Sequence, residues 1–225
     1  MTELISTTIS DLFSKPFRGV LIKSLGLTLL LLVGALIVIP SLAANTGWSP
    51  FDGSGAVFGI LAGFVTFLLM GYLIVPITAL FAGLFLDDIA DVVEGQHYSH
   101  KPKGIPMPLS QSLWIAIKFM LIVIATNIVL IPFIFLGGLG FVLIYVVNGY
   151  LLGREYFELA ALRHHTVADT KFLRSQNKGM IYGAGILVAF LATIPILNLF
   201  VPIFGTSLLV HVFHKAEDRQ NALQA

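Results

Sequence analysis

The distribution of charge along the chain is the feature that most constrains its fold. Four long stretches, 24–51, 53–86, 119–153 and 179–214, contain no Asp, Glu, Lys or Arg. Only 11% of the 225 residues are charged and 57% are apolar, whereas a soluble domain carries about 25% charged residues. Too few polar side chains remain to cover a surface that faces water. The sequence therefore predicts a single integral membrane domain, 1–225, built from α-helices.

The first two stretches predict two long transmembrane helices. Residues 24–44 would reach about 31 Å as a helix, which is one bilayer core. Residues 56–94 would reach about 58 Å, so we expect the last third of this second span to project into the cytoplasm. Gly95 is placed to end it as a left-handed cap.

The last two stretches each predict a helical hairpin. They have 35 and 36 residues, too many for one span, yet two spans of about 16 residues would each reach only about 24 Å. Each hairpin is either two short spans or a re-entrant loop, and we favour hairpins that only partly penetrate the bilayer. The tips are predicted at Gly137, Gly138 and Asn198, where a second half-helix would begin and offer unpaired N–H groups to an anion.

The basic residues predict the orientation. All 13 Lys and Arg fall in segments 1–23, 87–118, 154–178 and 215–225, and the loop 45–54 has none. By the positive-inside rule, both termini lie in the cytoplasm of a multi-pass protein of a bacterial-type inner membrane. The segment 1–23 predicts an amphipathic interfacial helix, whose apolar face opposes Thr8 and Asp11.

Several polar motifs have to be weighed before a function is considered. The net charge of +1 excludes an electrostatic nucleic-acid binder. The run Asp87-Asp88-Ile89-Ala90-Asp91 matches the magnesium-diphosphate motif of membrane prenyltransferases, but no second acidic cluster accompanies it. It is better interpreted as a solvated helix extension, neutralised partly by Lys101 and Lys103.

The histidine pairs do not alter this assessment. His164-His165 and His211-x-x-His214 lack the Glu of a metalloprotease arrangement. We therefore predict no catalytic residue, no cofactor and no metal site, and hence a protein that is not an enzyme.

Other residues indicate helix packing and proton coupling. Gly55, Gly59 and Gly63 repeat at four-residue spacing and predict a close helix contact, either with the first span or across a dimer. Glu158 lies four residues after Arg154, which favours a local ion pair. It is also the candidate for a proton-coupling carboxylate at the membrane interface.

A basic segment precedes the first span. Lys15, Arg18, Gly19 and Lys23 would place cations at its cytoplasmic entrance. No acidic ring lines the spans, so an anion path fits the sequence better than a cation path.

One run of residues resembles a known family. Ile194-Pro195-Ile196-Leu197-Asn198-Leu199-Phe200, followed by Pro202, is similar to the signature of the CysZ sulfate-permease family, which is related to the etoposide-induced membrane proteins. The stretch 154–159 supports the resemblance, and the order of elements matches from about residue 10 to residue 215.

The resemblance implies two long spans, two partly penetrating hairpins, and proton-linked sulfate uptake for cysteine synthesis by a homo-oligomer. Family members hold sulfate with a Gly-x-Arg-Arg turn before the first span. Here Arg18 matches the first Arg of that turn and Gly19 replaces the second. The predicted function is transport of sulfate or a related small anion. The alternatives are a non-transporting membrane scaffold and, third, a magnesium-dependent lipid enzyme.

Overall fold

Helices make up nearly all of the described chain, and no strand occurs within it. The structure, a computed structural model, describes residues 2–15, 17–19, 22–23, 26, 30, 33–34, 86–198 and 200–224. The all-α prediction is confirmed for these residues. Most of span 24–44, the part of span 56–94 before residue 86, and Gly55, Gly59 and Gly63 lie outside them.

The helices follow one another with short connections. Helix α1 is Thr2–Leu12, α2 is 86–97, α3 is Leu109–Leu130, α4 is Gly138–Ala161, α5 is Val167–Gln176, α6 is Lys178–Ala192, α7 is Pro195–Asn198 and α8 is Val201–Gln224. A 3₁₀ helix, Ile131–Leu136, joins α3 to α4.

The two predicted hairpins correspond to α3 with α4, and to α6 with α8. Within the described residues, only the stretch Leu113–Phe133 is long and apolar enough to cross a bilayer. Helix α6 has 15 residues and reaches about 22 Å, less than a bilayer core. How deeply either hairpin penetrates the membrane stays a prediction.

Helix α4 is the centre of the packing, with α6 and α8 against it. Its Gly153 meets Gly185 of α6 so closely that a Cβ on Gly185 would lie 2.7 Å from the Gly153 Cα. Real Cβ atoms do not approach backbone this closely, so the crossing of these two helices requires glycine on both sides. This small-residue contact resembles the one predicted for the second span, at positions that the sequence analysis did not select.

Helix α1 packs on the rest of the protein with a face that includes two polar residues. Thr8 and Asp11 are buried against the rest of the chain, whereas Ile9 and Phe13 are 47% and 72% exposed. Leu4, Ile5 and Leu12 are partly buried against the core, so the inward face of α1 mixes polar and apolar residues. The placement of this helix in the membrane interface stays a prediction.

Two helix ends test caps that the sequence predicts. The Thr-x-x-Asp pattern from Thr166 to Asp169 predicts a capping box, and Gly95 was expected to form a left-handed C-terminal cap. Helix α5 begins after Thr166, whose Oγ1 accepts a hydrogen bond from the Asp169 backbone N–H at 3.3 Å, as expected for an N-terminal cap. The prediction for Gly95 was wrong. Helix α2 continues to residue 97, and Gly95 does not have the positive φ of a left-handed cap.

Candidate functional site

The basic residues that precede the first span share one helical face. Residues 15, 17–19 and 22–23 are helical. Lys15, Arg18, Gly19 and Lys23 are spaced at i, i+3, i+4 and i+8, and all four are exposed. Among the ion pairs between described residues, none involves these three cations. We call Lys15, Arg18, Gly19 and Lys23 the cationic face.

A buried aromatic residue fixes the cationic face to the core. Phe17, on the opposite side of the helix, is fully buried and belongs to the main hydrophobic cluster with Leu86 and Ile89 of α2. The Gln96 amide of α2 also donates a hydrogen bond to Ser14 Oγ at 3.2 Å. The three cations are therefore carried by a helix that is anchored to the protein.

The resemblance aligns residues 16–19 with the sulfate-holding turn of the family. Residues 17–19 are helical, so their backbone N–H groups are directed along the helix. The Arg18 N–H donates to the Ser14 carbonyl at 3.2 Å, and Gly19 has no positive φ. Because the N–H of Arg18 is occupied within the helix, an anion here would be held mainly by side chains. A Cβ on Gly19 would meet no atom within 4 Å, so this position has room for a longer side chain.

The hairpin tips differ from each other. Gly137 has φ +64°, a conformation that favours glycine, and α4 begins directly after it at Gly138. Around this tip, Phe135 and Leu139 are 88% and 77% exposed. At the second tip, Asn198 is buried, whereas Ile194 and Leu197 are exposed.

A cleft of about 470 Å³ lies between the hairpins and is lined mostly by apolar side chains. Its polar groups include Asn127 and Asn148, whose amides exchange two hydrogen bonds of 3.2 Å, and Asn198. No cationic side chain lies among the described residues that line it. Burying a sulfate dianion against such a lining would be costly, so the cationic face is the better candidate for anion binding.

Glu158 is held by two arginines. Its Oε1 accepts from Arg154 Nε at 3.2 Å and also from Arg174 Nη1. The local ion pair predicted with Arg154 is therefore present. Burial raises the pKa of the neighbouring Glu155 to about 7, against the partial opposition of the Arg154 and Lys118 charges.

An arginine that the sequence analysis did not select organises the acidic motif of α2. The guanidinium of Arg163, from the loop after α4, has no exposed side-chain surface and pairs with Asp87, Asp91 and Glu94. These carboxylates lie on one face of α2 because they are spaced by four and three residues. The acidic motif is thus the counter-charge of a buried cation, which leaves little support for a magnesium-diphosphate site.

The lysines expected to neutralise this motif do so only in part. Lys103 pairs with Asp91 at 3.0 Å, but Lys101 pairs with Glu217 and Asp218 of α8.

The pKa of Glu94 is held well below the usual range. Burial opposes its ionisation, but the hydrogen bond from His164 and the nearby His214 and Arg163 favour the charged carboxylate more strongly.

A hydrogen-bonded network of histidine and tyrosine joins α1 to α2 and α8. Asp11 Oδ1 and Oδ2 lie 2.7 Å from His97 Nε2 and 2.9 Å from His211 Nε2. The Tyr98 hydroxyl lies 2.9 Å from His211 Nδ1. This network explains why Asp11 of α1 faces inward. No sequence spacing indicated it, since its members come from three distant segments.

Comparison with known families decides the classification. A family model described as sulfate transporter CysZ/etoposide-induced protein 2.4 matches residues 5–202. The chain belongs to this family. Comparison with curated protein sequences finds no match.

The family membership confirms the resemblance stated from the run 194–200. In the CysZ-type chain described here, this run forms the second hairpin tip. The Asn198 N–H donates to the Ile194 carbonyl at 2.8 Å, and the Phe200 N–H donates to the Leu197 carbonyl at 2.9 Å. The run thus folds as the single turn of α7 that reverses the chain between α6 and α8. The matched range also contains the whole cationic face.

Proposed function

We propose that this protein carries sulfate or a related oxyanion across the bacterial inner membrane, in support of sulfur assimilation and cysteine synthesis. The observation that carries the proposal is the family match over residues 5–202. The cationic face supplies the chemistry, because exposed Lys15, Arg18 and Lys23 can attract a dianion to the entrance of the first span.

A multi-pass membrane location, with both termini in the cytoplasm, is part of this proposal. It is supported by the outer surface of the first hairpin, where Trp114, Val129 and Phe135 are 67%, 67% and 88% exposed. A water-soluble monomer rarely leaves so many large apolar side chains uncovered. Ile9 and Phe13 extend the apolar exposure to α1, as expected of a helix in the lipid interface.

Proton coupling through the carboxyls at the end of the first hairpin is the second element of the proposal. Burial raises the pKa of Glu155 to about 7, which makes it a candidate to take up and release a proton near neutral pH. Glu158 stays the candidate named from the sequence, now with Arg154 and Arg174 as its partners. We further propose a homo-oligomer with the anion pathway between protomers, on the basis of the family alone.

A scaffold that does not transport is the second candidate function. It is favoured by one observation, the glycine at position 19 where related proteins carry a second arginine. A dianion that loses one guanidinium partner binds more weakly. The two functions differ in whether the purified protein binds sulfate at all.

Calorimetric titration of the detergent-solubilised protein with sulfate separates them. We expect saturable binding that weakens in Arg18→Ala and is not reproduced by chloride at the same ionic strength. A matched variant, Arg219→Ala, removes an exposed arginine from α8 and should leave sulfate affinity unchanged. Absence of any sulfate heat from folded protein would favour the scaffold.

A further inference from the structure

Two clusters of ionisable side chains near the cytoplasmic end of the bundle have the composition of metal sites. In one, Asp11 meets His97 and His211; in the other, Glu94 meets His164 and His214. Within each trio, the candidate ligand atoms lie within 4.8 Å of one another. The two clusters differ in how well their polar atoms are satisfied.

The trio around Asp11 is complete without an ion. Both carboxylate oxygens of Asp11 face an imidazole nitrogen at hydrogen-bond distance, and the remaining nitrogen of His211 faces the Tyr98 hydroxyl. Each buried polar atom of this trio therefore has a partner, which is the usual condition of polar groups inside proteins. Nothing in this trio requires a ligand.

The trio around Glu94 is incomplete. His214 is 1% exposed, and neither of its ring nitrogens has a hydrogen-bond partner. Its Nε2 points to Glu94 Oε1 at 3.7 Å, and the same oxygen lies 2.8 Å from His164 Nε2. Two imidazole nitrogens and one carboxylate oxygen thus converge on one point. A buried imidazole without a hydrogen bond is costly, and a cation bound at Nε2 would satisfy one of its two nitrogens.

We propose that Glu94, His164 and His214 bind a divalent transition-metal ion, for which Zn²⁺ is the best fit. Three protein ligands of the two-histidine, one-carboxylate type are common in zinc sites that keep a fourth position open. Tetrahedral coordination at the usual zinc distances separates the ligand atoms by about 3.3 Å. The separations in the structure lie on both sides of that value, so small side-chain movements would complete the site.

The surroundings orient these ligands. Glu94 Oε2 faces Arg163 Nη2 and the Gly104 N–H, each at 3.4 Å, which leaves Oε1 directed to the histidines. The His214 ring stacks on Tyr98 with centroids 3.9 Å apart. Behind it, Glu217 Oε2 lies 3.7 Å from His214 Nδ1. A carboxylate in this position stabilises a metal-bound imidazole.

A cavity lies on one side of the trio. It has a volume of about 250 Å³ and is lined by Glu94 and His214 among others. A small ion could enter by this route, and a water molecule could complete its coordination. The charges around the site are balanced. Three carboxylates and three cations lie near it: Asp87, Asp91, Glu217, Arg163, Lys101 and Lys103. An added cation would therefore not meet an excess of positive charge. The proposal is independent of sulfate transport.

Metal titration of tag-free, full-length protein tests the proposal. After treatment with EDTA, the detergent-solubilised protein is titrated with Zn²⁺ against a chromophoric chelator, and with Co²⁺ to record its visible spectrum. We expect one Zn²⁺ per chain and the intense absorption of tetrahedral Co²⁺. Loss of a direct ligand in His164→Gln or His214→Gln should weaken Zn²⁺ binding by more than about 100-fold, the upper end of the effect of losing a supporting residue.

The second trio provides the matched controls. His97→Gln and His211→Gln remove an exposed and a buried histidine from the same end of the bundle and should leave Zn²⁺ affinity unchanged. Equal weakening in all four variants, loss confined to His97→Gln and His211→Gln, or no Zn²⁺ uptake by the wild-type protein would each overturn the assignment. If a ligand variant does not fold, X-ray absorption of the Zn²⁺-loaded wild-type protein decides, because the proposal requires two imidazole ligands and at least one oxygen ligand.

Discussion

Replacing Gly19 by arginine is the substitution that tests the cationic face most selectively. The position lies between Arg18 and Lys23 on the same helical face, and it is exposed. A Cβ there would meet no atom within 4 Å, so a side chain can begin at this exposed position without a clash at its Cβ. An arginine would add a second guanidinium directly beside Arg18.

The size of the effect follows from the exposure of the site. An ion pair in contact with water contributes up to about 1 kcal/mol, whereas a fully desolvated charged hydrogen bond contributes about 1.5–3 kcal/mol. Because Gly19 is exposed, we expect the lower value. Sulfate binding should therefore tighten about fivefold in Gly19→Arg. The gain should shrink between about 0.01 M and 0.15 M salt, because the Debye length falls over this range.

The assay is calorimetric titration of the solubilised variants with sulfate at both salt concentrations. Gly19→Gln adds a long side chain without charge and should leave the dissociation constant at the wild-type value. Gly95→Arg adds the same charge at another exposed helical glycine with open space around its Cβ, and it should also have no effect. Equal affinity in Gly19→Arg and Gly19→Gln would refute the view that this face binds the anion.

Three further predictions concern stability and its pH dependence. Arg163→Met should lower the free energy of unfolding by about 3 kcal/mol or more, because it leaves the carboxylates of α2 without their buried counter-charge; unchanged denaturant unfolding would contradict this. Gly185→Ala should destabilise by at least about 1–3 kcal/mol through overpacking against Gly153, whereas Gly179→Ala in the same helix has open space and should be neutral or stabilising in thermal unfolding. The raised pKa of Glu155, about 7 in the fold against 4.5 ordinarily, means that its protonated form favours folding. This contribution to stability is present below the ordinary pKa and is lost as the pH rises through 7. The unfolding midpoint of the wild-type protein should therefore fall relative to that of Glu155→Gln between about pH 5 and pH 8. Parallel pH profiles of the two proteins would contradict this prediction.

The features that the sequence predicted well are those set by local pattern. Composition and the uncharged stretches predict an all-helical chain, and Thr166 with Asp169 predicts the start of α5 because a cap forms between residues three apart. The ion pair of Arg154 with Glu158 is equally local. The run 194–200 identified the family because the residues of its hairpin tip are contiguous.

The features that could not be predicted from the sequence depend on contacts between distant segments. Arg163 is separated from Asp87 and Glu94 by 76 and 69 residues, so no spacing rule could pair them. The sequence places Arg163 between two uncharged stretches, which could have marked it as a candidate for an ion pair. Its burial became visible only in the fold. The contact of Gly153 with Gly185 was missed for the same reason. Spacing within one helix shows which residues share a face, but it does not show which other helix packs against that face.

Uptake of labelled sulfate into proteoliposomes tests the central claim most directly. The vesicles contain wild-type protein, Arg18→Ala or no protein, and internal sulfate is measured over time. We expect wild-type vesicles to fill faster than empty ones, and Arg18→Ala vesicles to fill more slowly than wild-type. Wild-type uptake no faster than that of empty vesicles, from protein that is folded and inserted, would contradict the account of this chain as an oxyanion transporter.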